Sequence, residues 1–398
     1  MRPRRPHRRM PVSRRHVLRG GLAAVAALAA GGGVAGCGTK GTGHTSGGCV
    51  AEDHSDREKT LSFANWIQYI DVDGRDPSKR PTLDAFARST GIRVTYTEDI
   101  NDNNEFFGKV RNQLAACQSI DRDLIVLTDW MVIRLIRLGW VQRLDPDNLP
   151  DVRRNLVPAL RNRSFDPVGR LAVPWQSGLA ALAYHGGVAR EVRTVDELLT
   201  RPDLKGRVTL LAEMRDTMGL LMQSNGHDPA NFTDEQFDAA LAKLDKAVRA
   251  GQIRRFTGND YAPELARGDI AACFGWSGDI IQLAAQNPKI RFVTPESGSM
   301  LYSDDLLVPN SATHRANAER LINYYYDPAV AARVAAAVRY ICPVRGAREE
   351  AARTDPKLAD NPLVFPDDDT FAVSKVFMAL TEAQEKTYEE KFQRVIGK

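Results

Sequence analysis

Aromatic and acidic residues occur together at several points where an apolar, strand-like segment ends. Asp129 and Trp130 follow one such segment, and Trp276 and Asp279 follow another. The same combination recurs at Trp66 and Tyr69, at Glu213 and Asp216, and at Tyr302, Asp304 and Asp305. An aromatic face attracts a cation by about 0.5 to 2 kcal/mol, and a hydrogen bond from an ammonium to a carboxylate contributes about 1.5 to 3 kcal/mol. Such residues around one cleft would bind a small organic cation.

Each of these residues also suits a simpler structural role. Asp216 is well placed to cap a helix, Trp130 and Trp276 suit a hydrophobic core, and Asp304 and Asp305 suit a solvated turn. The repeated placement of the pairs at strand ends, rather than any single residue, predicts the cleft.

Motifs typical of enzymes are missing from the body of the chain. From residue 60 onward there is no His-Glu-x-x-His motif, no phosphate-binding loop and no Gly-x-Gly-x-x-Gly motif. The segment Gly275-Trp276-Ser277-Gly278 is one residue short of a Gly-x-Ser-x-Gly elbow. We therefore expect no enzymatic activity, no cofactor and no bound metal. An exported hydrolase whose triad is assembled only in space stays as an alternative.

The elements that must position these residues alternate between strands and helices. Segments 61–66, 92–96 and 123–127 are strand-like, and segments 82–90, 105–114 and 131–138 have helical spacing. Two strand-like pieces at 171–175 and 179–184 interrupt this order, and the alternation then resumes with helices such as 234–250 and strands such as 207–211 and 270–274. The pattern predicts two α/β lobes with parallel sheets. In such sheets ligands bind beyond the carboxyl ends of the strands, where the aromatic and acidic pairs fall.

Residues 1–36 are typical of an export signal. Adjacent arginines, Arg14 and Arg15, precede an apolar stretch that is short and interrupted by glycine, which suits a signal better than a membrane span. This start resembles a twin-arginine signal, and Val34-Ala35-Gly36-Cys37 resembles the lipobox of bacterial lipoproteins. We therefore predict lipidation at Cys37, followed by a flexible tether over residues 37–59. The alternative is an ordinary cleavable signal with an incidental cysteine.

The leader also distorts the charge of the chain. The whole chain has a formal net charge of +4, but residues 1–36 contain eight arginines, no lysine and no acidic residue. Without them 46 basic and 50 acidic residues remain, a net charge of −4. The charge therefore gives no reason to expect a nucleic-acid partner.

The four cysteines after the lipobox, Cys49, Cys117, Cys273 and Cys342, have no metal-site spacing, and spacing does not decide their pairing. The apolar surroundings of Cys273 and Cys342 predict buried thiols.

From about Leu61 to its C-terminus the chain resembles the substrate-binding proteins of ABC transporters for polyamines. The resemblance is carried by Phe63-Ala64-Asn65-Trp66-Ile67-Gln68-Tyr69-Ile70, by residues 86–94, by Asp123-Leu124-Ile125-Val126 and by residues 304–309. It implies a type II periplasmic-binding-protein fold, in which two α/β domains are joined by two crossover hinges. Lobe 1 would comprise 60–175 plus 304–345, lobe 2 would comprise 178–302 plus 346–398, and the ligand cleft would lie between them.

The resemblance also implies roles for ten residues. Aromatic and hydroxyl side chains would line the cleft at Trp66, Tyr69, Thr128, Trp130, Trp276, Tyr302 and Tyr340. Carboxylates would bind the amines at Glu213, Asp216 and Asp304. The chain departs from the family pattern at Gln68, where a Glu is expected, at Tyr302, where a Trp is usual, and near Met378, where a cleft Gln is expected.

The sequence thus predicts an exported, lipid-anchored, monomeric receptor, on the outer face of the cell membrane or in the periplasm. It would capture a polyamine and deliver it to an ABC permease. A receptor of the same fold for an opine, an amino acid derivative or thiamine is the alternative cargo assignment, and a purely structural lipoprotein is a further alternative.

Overall fold

The computed structural model describes residues 49–161, 163, 165–366 and 374–397. The predicted signal, Cys37 and the first part of the predicted tether lie outside the described residues. Within the described ranges, no helix combines the length and the apolar character that crossing a membrane requires.

The strands follow the predicted alternation with helices. They are β1 (Thr60–Trp66), β2 (Arg93–Ile100), β3 (Leu124–Thr128), β4 (Val173–His185), β5 (Val208–Leu211), β6 (Ile253–Thr257), β7 (Ala272–Trp276), β8 (Ile290–Val293), β9 (Ser299–Leu307) and β10 (Ser374–Lys375). The larger helices are α1 (Pro81–Thr90), α2 (Asn103–Ala115), α3 (Asp129–Arg137), α4 (Pro150–Asn155), α5 (Val195–Thr200), α6 (Met214–Ser224) and α7 (Asp234–Arg249). They continue with α8 (Tyr261–Arg267), α9 (Ser277–Gln286), α10 (Arg315–Tyr325), α11 (Pro328–Val338), α12 (Ala347–Thr354), α13 (Pro356–Ala359) and α14 (Glu382–Ile396).

The described strands form one sheet with the order β2-β1-β3-β9-β4-β7-β5-β6, in which β8 pairs with β4 and β10 with β9. The pairs at each end are parallel: β1 with β2 and β3, and β5 with β6 and β7. The two long strands in the middle, β4 and β9, are antiparallel to each other. Two parallel α/β units are therefore joined through one antiparallel pair.

Two separate hydrophobic cores lie along this sheet. The first surrounds β1 to β3 and includes Phe63 and Val126, and the second surrounds β5 to β7 and includes Leu210 and Phe274. Strand β4 contributes Val173 to the first core but Leu182 to the second, and β9 likewise belongs to both. We call the elements around the first core lobe 1 and those around the second core lobe 2.

The chain crosses between the cores at the middle of β4 and β9. Gln176 pairs with Asp304, Ser177 with Ser303, and Gly178 with Tyr302. The two strand-like pieces 171–175 and 179–184 therefore form one continuous strand, because the residues that join them stay in the ladder. This differs from the prediction of two separate strands.

The C-terminal part is divided between the cores differently from the expectation that 346–398 belongs to lobe 2. Ala347, Ala351, Leu358 and Val364 pack in the first core, because α12 follows α11 and packs against it. Only after residues 367–373, which are not described, does the chain join the second core, through α14. A capping box between Thr381 and Gln384 begins that helix.

The N-terminal end of the described chain is fixed to lobe 1. Cys49 and Cys117 form a disulfide, and the backbone N–H of Ala51 donates to the carbonyl of Asn310 at 2.9 Å. Residues 49–59 are therefore packed, and the predicted flexible tether does not include them. Cys273 and Cys342 are buried free thiols, which confirms that prediction.

Candidate functional site

A cavity of about 390 Å³ lies between the two cores, at the carboxyl ends of β1, β3, β5 and β7. All ten residues to which the sequence assigned a ligand-binding role line it. They are Trp66, Tyr69, Thr128, Trp130, Glu213, Asp216, Trp276, Tyr302, Asp304 and Tyr340.

Asp304 is a buried carboxylate held by neutral donors. It lies opposite Thr128 in the β3–β9 ladder, and the Thr128 hydroxyl donates to its Oδ1 at 2.7 Å. The Tyr69 hydroxyl donates to Oδ2 at 2.8 Å. The Asn103 amide in turn donates to the Thr128 hydroxyl at 2.9 Å. Burial raises the pKa of Asp304 to about 7, so a nearby cation would favour its ionised form.

Asp216 lies in the first turn of α6, in the part of the cavity wall that lobe 2 contributes. The indole N–H of Trp276 donates to its Oδ2 at 2.8 Å, and burial raises its pKa to about 7. It does not cap α6, because Glu213 is the N-cap and accepts from the backbone N–H of Arg215 at 3.3 Å. Asp216 is therefore free to face the cavity.

Asp129 is a third carboxylate in the cavity wall. It accepts from the backbone N–H of Trp130 at 2.6 Å. Burial, and then the neighbouring charge of Asp305, raise its pKa to about 6. The sequence placed it beside Trp130 but assigned it no binding role.

Two acidic residues that the sequence pattern places at strand ends, Asp279 and Asp305, are bonded to other side chains of the protein. Asp279 accepts hydrogen bonds from the hydroxyls of Tyr340 at 2.7 Å and Tyr261 at 3.0 Å. Asp305 is paired with Arg163. Their role is to hold other residues of the wall in place.

The aromatic walls are brought together by glycines. Tyr340 contacts Tyr69 edge to face, with ring centroids 4.8 Å apart. A Cβ on Gly178 would come within 2.4 Å of the Tyr302 hydroxyl, and one on Gly278 within 2.2 Å of the Tyr340 ring. The absence of side chains at these two positions lets both tyrosines reach the cavity.

A charged cluster at one end of the cavity was not predicted. The Arg215 guanidinium carbon lies 3.9 Å from the centroid of the Trp130 ring, and Nη2 donates to Glu385 Oε1 at 2.8 Å. Glu385 also pairs with Arg134 at 3.1 Å and Arg137 at 2.8 Å. Sequence spacing carries no signal for this cluster, because its members are up to about 250 residues apart and meet only when the lobes do.

The segment 376–380 forms an apolar part of the wall. It includes Met378, at the position where the resemblance leads one to expect a glutamine. Throughout the described residues, no group of three or more His, Cys, Asp or Glu side chains is arranged to hold a metal ion.

Residues 82–366 match the family described as bacterial extracellular solute-binding proteins. The chain belongs to this family. It is thus a solute-binding protein rather than an enzyme, and its place is outside the cytoplasm.

Two relatives and one solved structure show the extent of the similarity. The spermidine/putrescine-binding periplasmic protein of Escherichia coli is 25% identical over 86% of this chain and 93% of its own length. The putrescine-binding periplasmic protein PotF of Escherichia coli is 28% identical over 79% of this chain and 85% of its own length. A Listeria monocytogenes structure assigned to a spermidine/putrescine ABC transporter has a TM-score of 0.73 at 24% identity, and the match covers 85% of this chain and 99% of that one. This structural match confirms the periplasmic-binding-protein fold.

Proposed function

We propose that this protein captures a polyamine outside the cytoplasm and delivers it to an ABC permease. One observation carries the proposal. Asp216 and Asp304 are buried in an aromatic cavity and, among the described residues, have no cationic partner within salt-bridge distance. A buried carboxylate without a countercharge is unfavourable, so an ammonium group that pairs with it is bound strongly. The names of the curated relatives support the same class of cargo.

The residues of the cavity divide into two amine sites and a wall between them. Asp304, positioned by Tyr69 and Thr128, binds one ammonium group. Asp216, positioned by Trp276, binds another. The remaining aromatic rings pack against the methylene chain of the cargo, and the faces of Trp66, Tyr302 and Tyr340 also attract its charged ends. These wall residues are Trp66, Trp130, Tyr302 and Tyr340.

Capture is coupled to closure of the lobes about the paired crossovers of β4 and β9. Asp304 lies in this crossover, whereas Asp216 belongs to lobe 2 and Thr128 to lobe 1. A cargo that contacts both lobes binds the closed form better than the open form and shifts the population toward it. The closed form is the one that a permease recognises.

The protein acts as a monomer on the outer face of the cell membrane. Support comes from the sequence alone, in which Cys37 ends a lipobox and adjacent arginines precede it. Because Cys49 is bonded to Cys117, the predicted tether ends before residue 49. Mass spectrometry of the N-terminal peptide of exported protein tests the lipid, and a Cys37→Ala variant should be released from membranes.

Isothermal titration calorimetry tests the cargo. The purified, ligand-free protein is titrated with putrescine, spermidine and spermine, and we expect saturable binding of at least one of them. A neutral polyol such as glycerol serves as the control and should give no heat. Absence of binding for all three amines would remove polyamines as the cargo, and the same-fold alternatives would then be tested.

A further inference from the structure

Arg215 places a positive charge of the protein inside its own cavity. The residue is only 8% exposed and is among the residues that line the cavity. Its guanidinium group stacks on Trp130 with the carbon 3.9 Å from the ring centroid. This face of Trp130 is therefore already occupied by a cation, and a cargo ammonium has no access to it.

Arg215 also forms ion pairs with the acidic residues at its end of the cavity. Nη1 lies 3.8 Å from Glu213 Oε1 and 3.3 Å from Glu389 Oε1, and Nη2 lies 2.8 Å from Glu385 Oε1. Glu385 is shared with two further arginines of α3. Burial raises the pKa of Glu213 well above its usual range, although Arg215 opposes this. Neither Glu213 nor Glu385 thus offers a free negative charge to a cargo.

The remaining acidic residues of the cavity wall differ in the bonds that their carboxylates already make within the protein. Asp102 is half-exposed and caps α2. Asp129 lies in the first turn of α3 without an ion pair among the described residues, and its Oδ1 accepts from the backbone N–H of Trp130 at 2.6 Å. Asp216 and Asp304 have no ion pair among the described residues and are oriented by neutral donors. Asp216 and Asp304 are therefore the two carboxylates of the wall that neutral side-chain donors orient, whereas Asp129 is held by the backbone of its own helix.

We infer that Arg215 is a specificity-determining residue that takes the place of a third ammonium group, so that the cargo is a diamine with two charged ends. This inference rests on the proposed function. The cavity volume of about 390 Å³ lies within the range of sites for drug-sized ligands, so size alone does not exclude a triamine. Charge does exclude it, because a third ammonium would lie in the field of Arg215. The neighbouring carboxylates of Glu213, Glu385 and Glu389 are already paired with Arg215.

Calorimetry on the wild-type protein tests the inference without a substitution. Putrescine should bind at least tenfold more tightly than spermidine. N1-acetylspermidine, in which one terminal ammonium is neutralised, should bind at least tenfold more tightly than spermidine. Equal affinity for putrescine and spermidine would overturn the role of Arg215 while leaving polyamine binding intact. No binding of any amine would instead refute the proposed function.

Two variants of Arg215 separate its charge from its shape. In Arg215→Met the repelling charge is gone, and the preference for putrescine over spermidine should narrow at least tenfold. Arg215→Lys keeps the charge and should keep the preference. Circular dichroism and thermal unfolding establish whether both variants fold. If Arg215→Met does not fold, the comparison of N1-acetylspermidine with spermidine on the wild-type protein tests the inference. Tighter binding of γ-aminobutyrate than of putrescine to the wild type would show that Arg215 binds a carboxylate of the cargo. That result would also overturn the inference.

Discussion

Glu385 Oε2 accepts a hydrogen bond from Arg137 Nη2 at 2.8 Å, and this ion pair joins α14 of lobe 2 to α3 of lobe 1. Arg134 of α3 reaches the other oxygen of the same carboxylate at 3.1 Å. Burial disfavours the ionised form, but Arg134 and Arg215 lower the pKa of Glu385 below its usual value. The lobes are therefore held together by charges of the protein as well as by any cargo.

Substitution of Glu385 by Gln should shift the ligand-free protein toward an open form. The change removes the negative charge that Arg134 and Arg137 share across the cavity. Glu385 is buried, and removing one partner of a buried ion pair costs about 3 to 5 kcal/mol, so cargo affinity should fall at least fivefold. Small-angle X-ray scattering should show a larger radius of gyration without ligand. Glu390→Gln, at an exposed position of the same helix, is the matched control and should change neither quantity. If Glu385→Gln behaves like the control, the cluster does not hold the lobes together.

Substitution of Asp304 by Asn should weaken binding of the amine cargo about 10- to 100-fold. The estimate corresponds to losing one charge-assisted hydrogen bond of about 1.5 to 3 kcal/mol. The size of the side chain is nearly unchanged. The asparagine keeps one acceptor oxygen for one of the two hydroxyls of Tyr69 and Thr128, and its NH2 group can donate to the oxygen of the other. Calorimetry measures the effect. The exposed Asp56, changed to Asn, controls for the loss of one negative charge. Unchanged affinity in Asp304→Asn would remove this residue from the amine site.

Cargo affinity should rise between pH 6 and pH 8. The pKa values of Asp216 and Asp304 are both about 7 in the cavity without cargo, and an ammonium group pairs with the ionised carboxylate. At pH 6 each carboxyl group is mostly protonated, and removing its proton costs about 1.4 kcal/mol, so affinity should be at least tenfold lower than at pH 8. Calorimetry in buffers of different ionisation enthalpy should detect the released protons. A flat profile would contradict the assignment of these two carboxylates.

The raised pKa values of Asp216 and Asp304 also lead us to expect that the stability of the cargo-free protein depends on pH. The folded-state pKa of about 7 exceeds the usual aspartate value of 3.8, so between pH 4 and pH 7 the folded state binds more protons than the unfolded state. The contribution of these residues to the free energy of unfolding is therefore complete below about pH 4 and is lost as the pH rises through 7. Thermal unfolding at a series of pH values, with Asp304→Asn as the comparison, should show a smaller decline in the variant.

The positions of the cavity residues at strand ends were predictable because the carboxyl ends of parallel strands meet at one edge of a sheet. Tyr302 and Asp304 lie within the antiparallel β9 and Tyr340 follows α11, and their roles were expected from the resemblance alone. The last residue of β3, Thr128, and the last residue of β7, Trp276, reach that edge in any fold that keeps this order. What sequence reasoning missed depends on partners far away in the chain. Asp279 is turned toward Tyr340 and Tyr261, and no spacing in the sequence indicates this. The contact of Arg215 with Glu385 likewise exists only because α14 returns to lobe 2.

The disulfide between Cys49 and Cys117 should stabilise lobe 1 by about 2 to 4 kcal/mol, since it closes a loop with a sequence separation of 68 residues. The double variant Cys49→Ser/Cys117→Ser should unfold at lower denaturant concentration and should be cut by proteases within residues 49–59. Reductant should lower the stability of the wild type but not that of the double variant, which serves as the control. Cargo affinity should stay within about twofold, because neither cysteine lines the cavity. An unchanged denaturation midpoint would show that the hydrogen bonds of this segment suffice without the disulfide.

Substitution of Gly178 by Ala should weaken cargo binding by displacing Tyr302. The new methyl group would lie 2.4 Å from the Tyr302 hydroxyl oxygen and 2.9 Å from a ring carbon of Tyr340, so both rings must shift. Gly178 has no positive φ angle, and the effect therefore comes from contact rather than from backbone strain. Overpacking of this kind is destabilising by about 1 to 3 kcal/mol, and we expect at least a fivefold loss of affinity together with a lower melting temperature. Gly74→Ala, where an added methyl group would meet nothing within 4 Å, should leave both quantities unchanged. If Gly178→Ala binds cargo as tightly as the Gly74 control, the position of Tyr302 does not contribute to the cargo site.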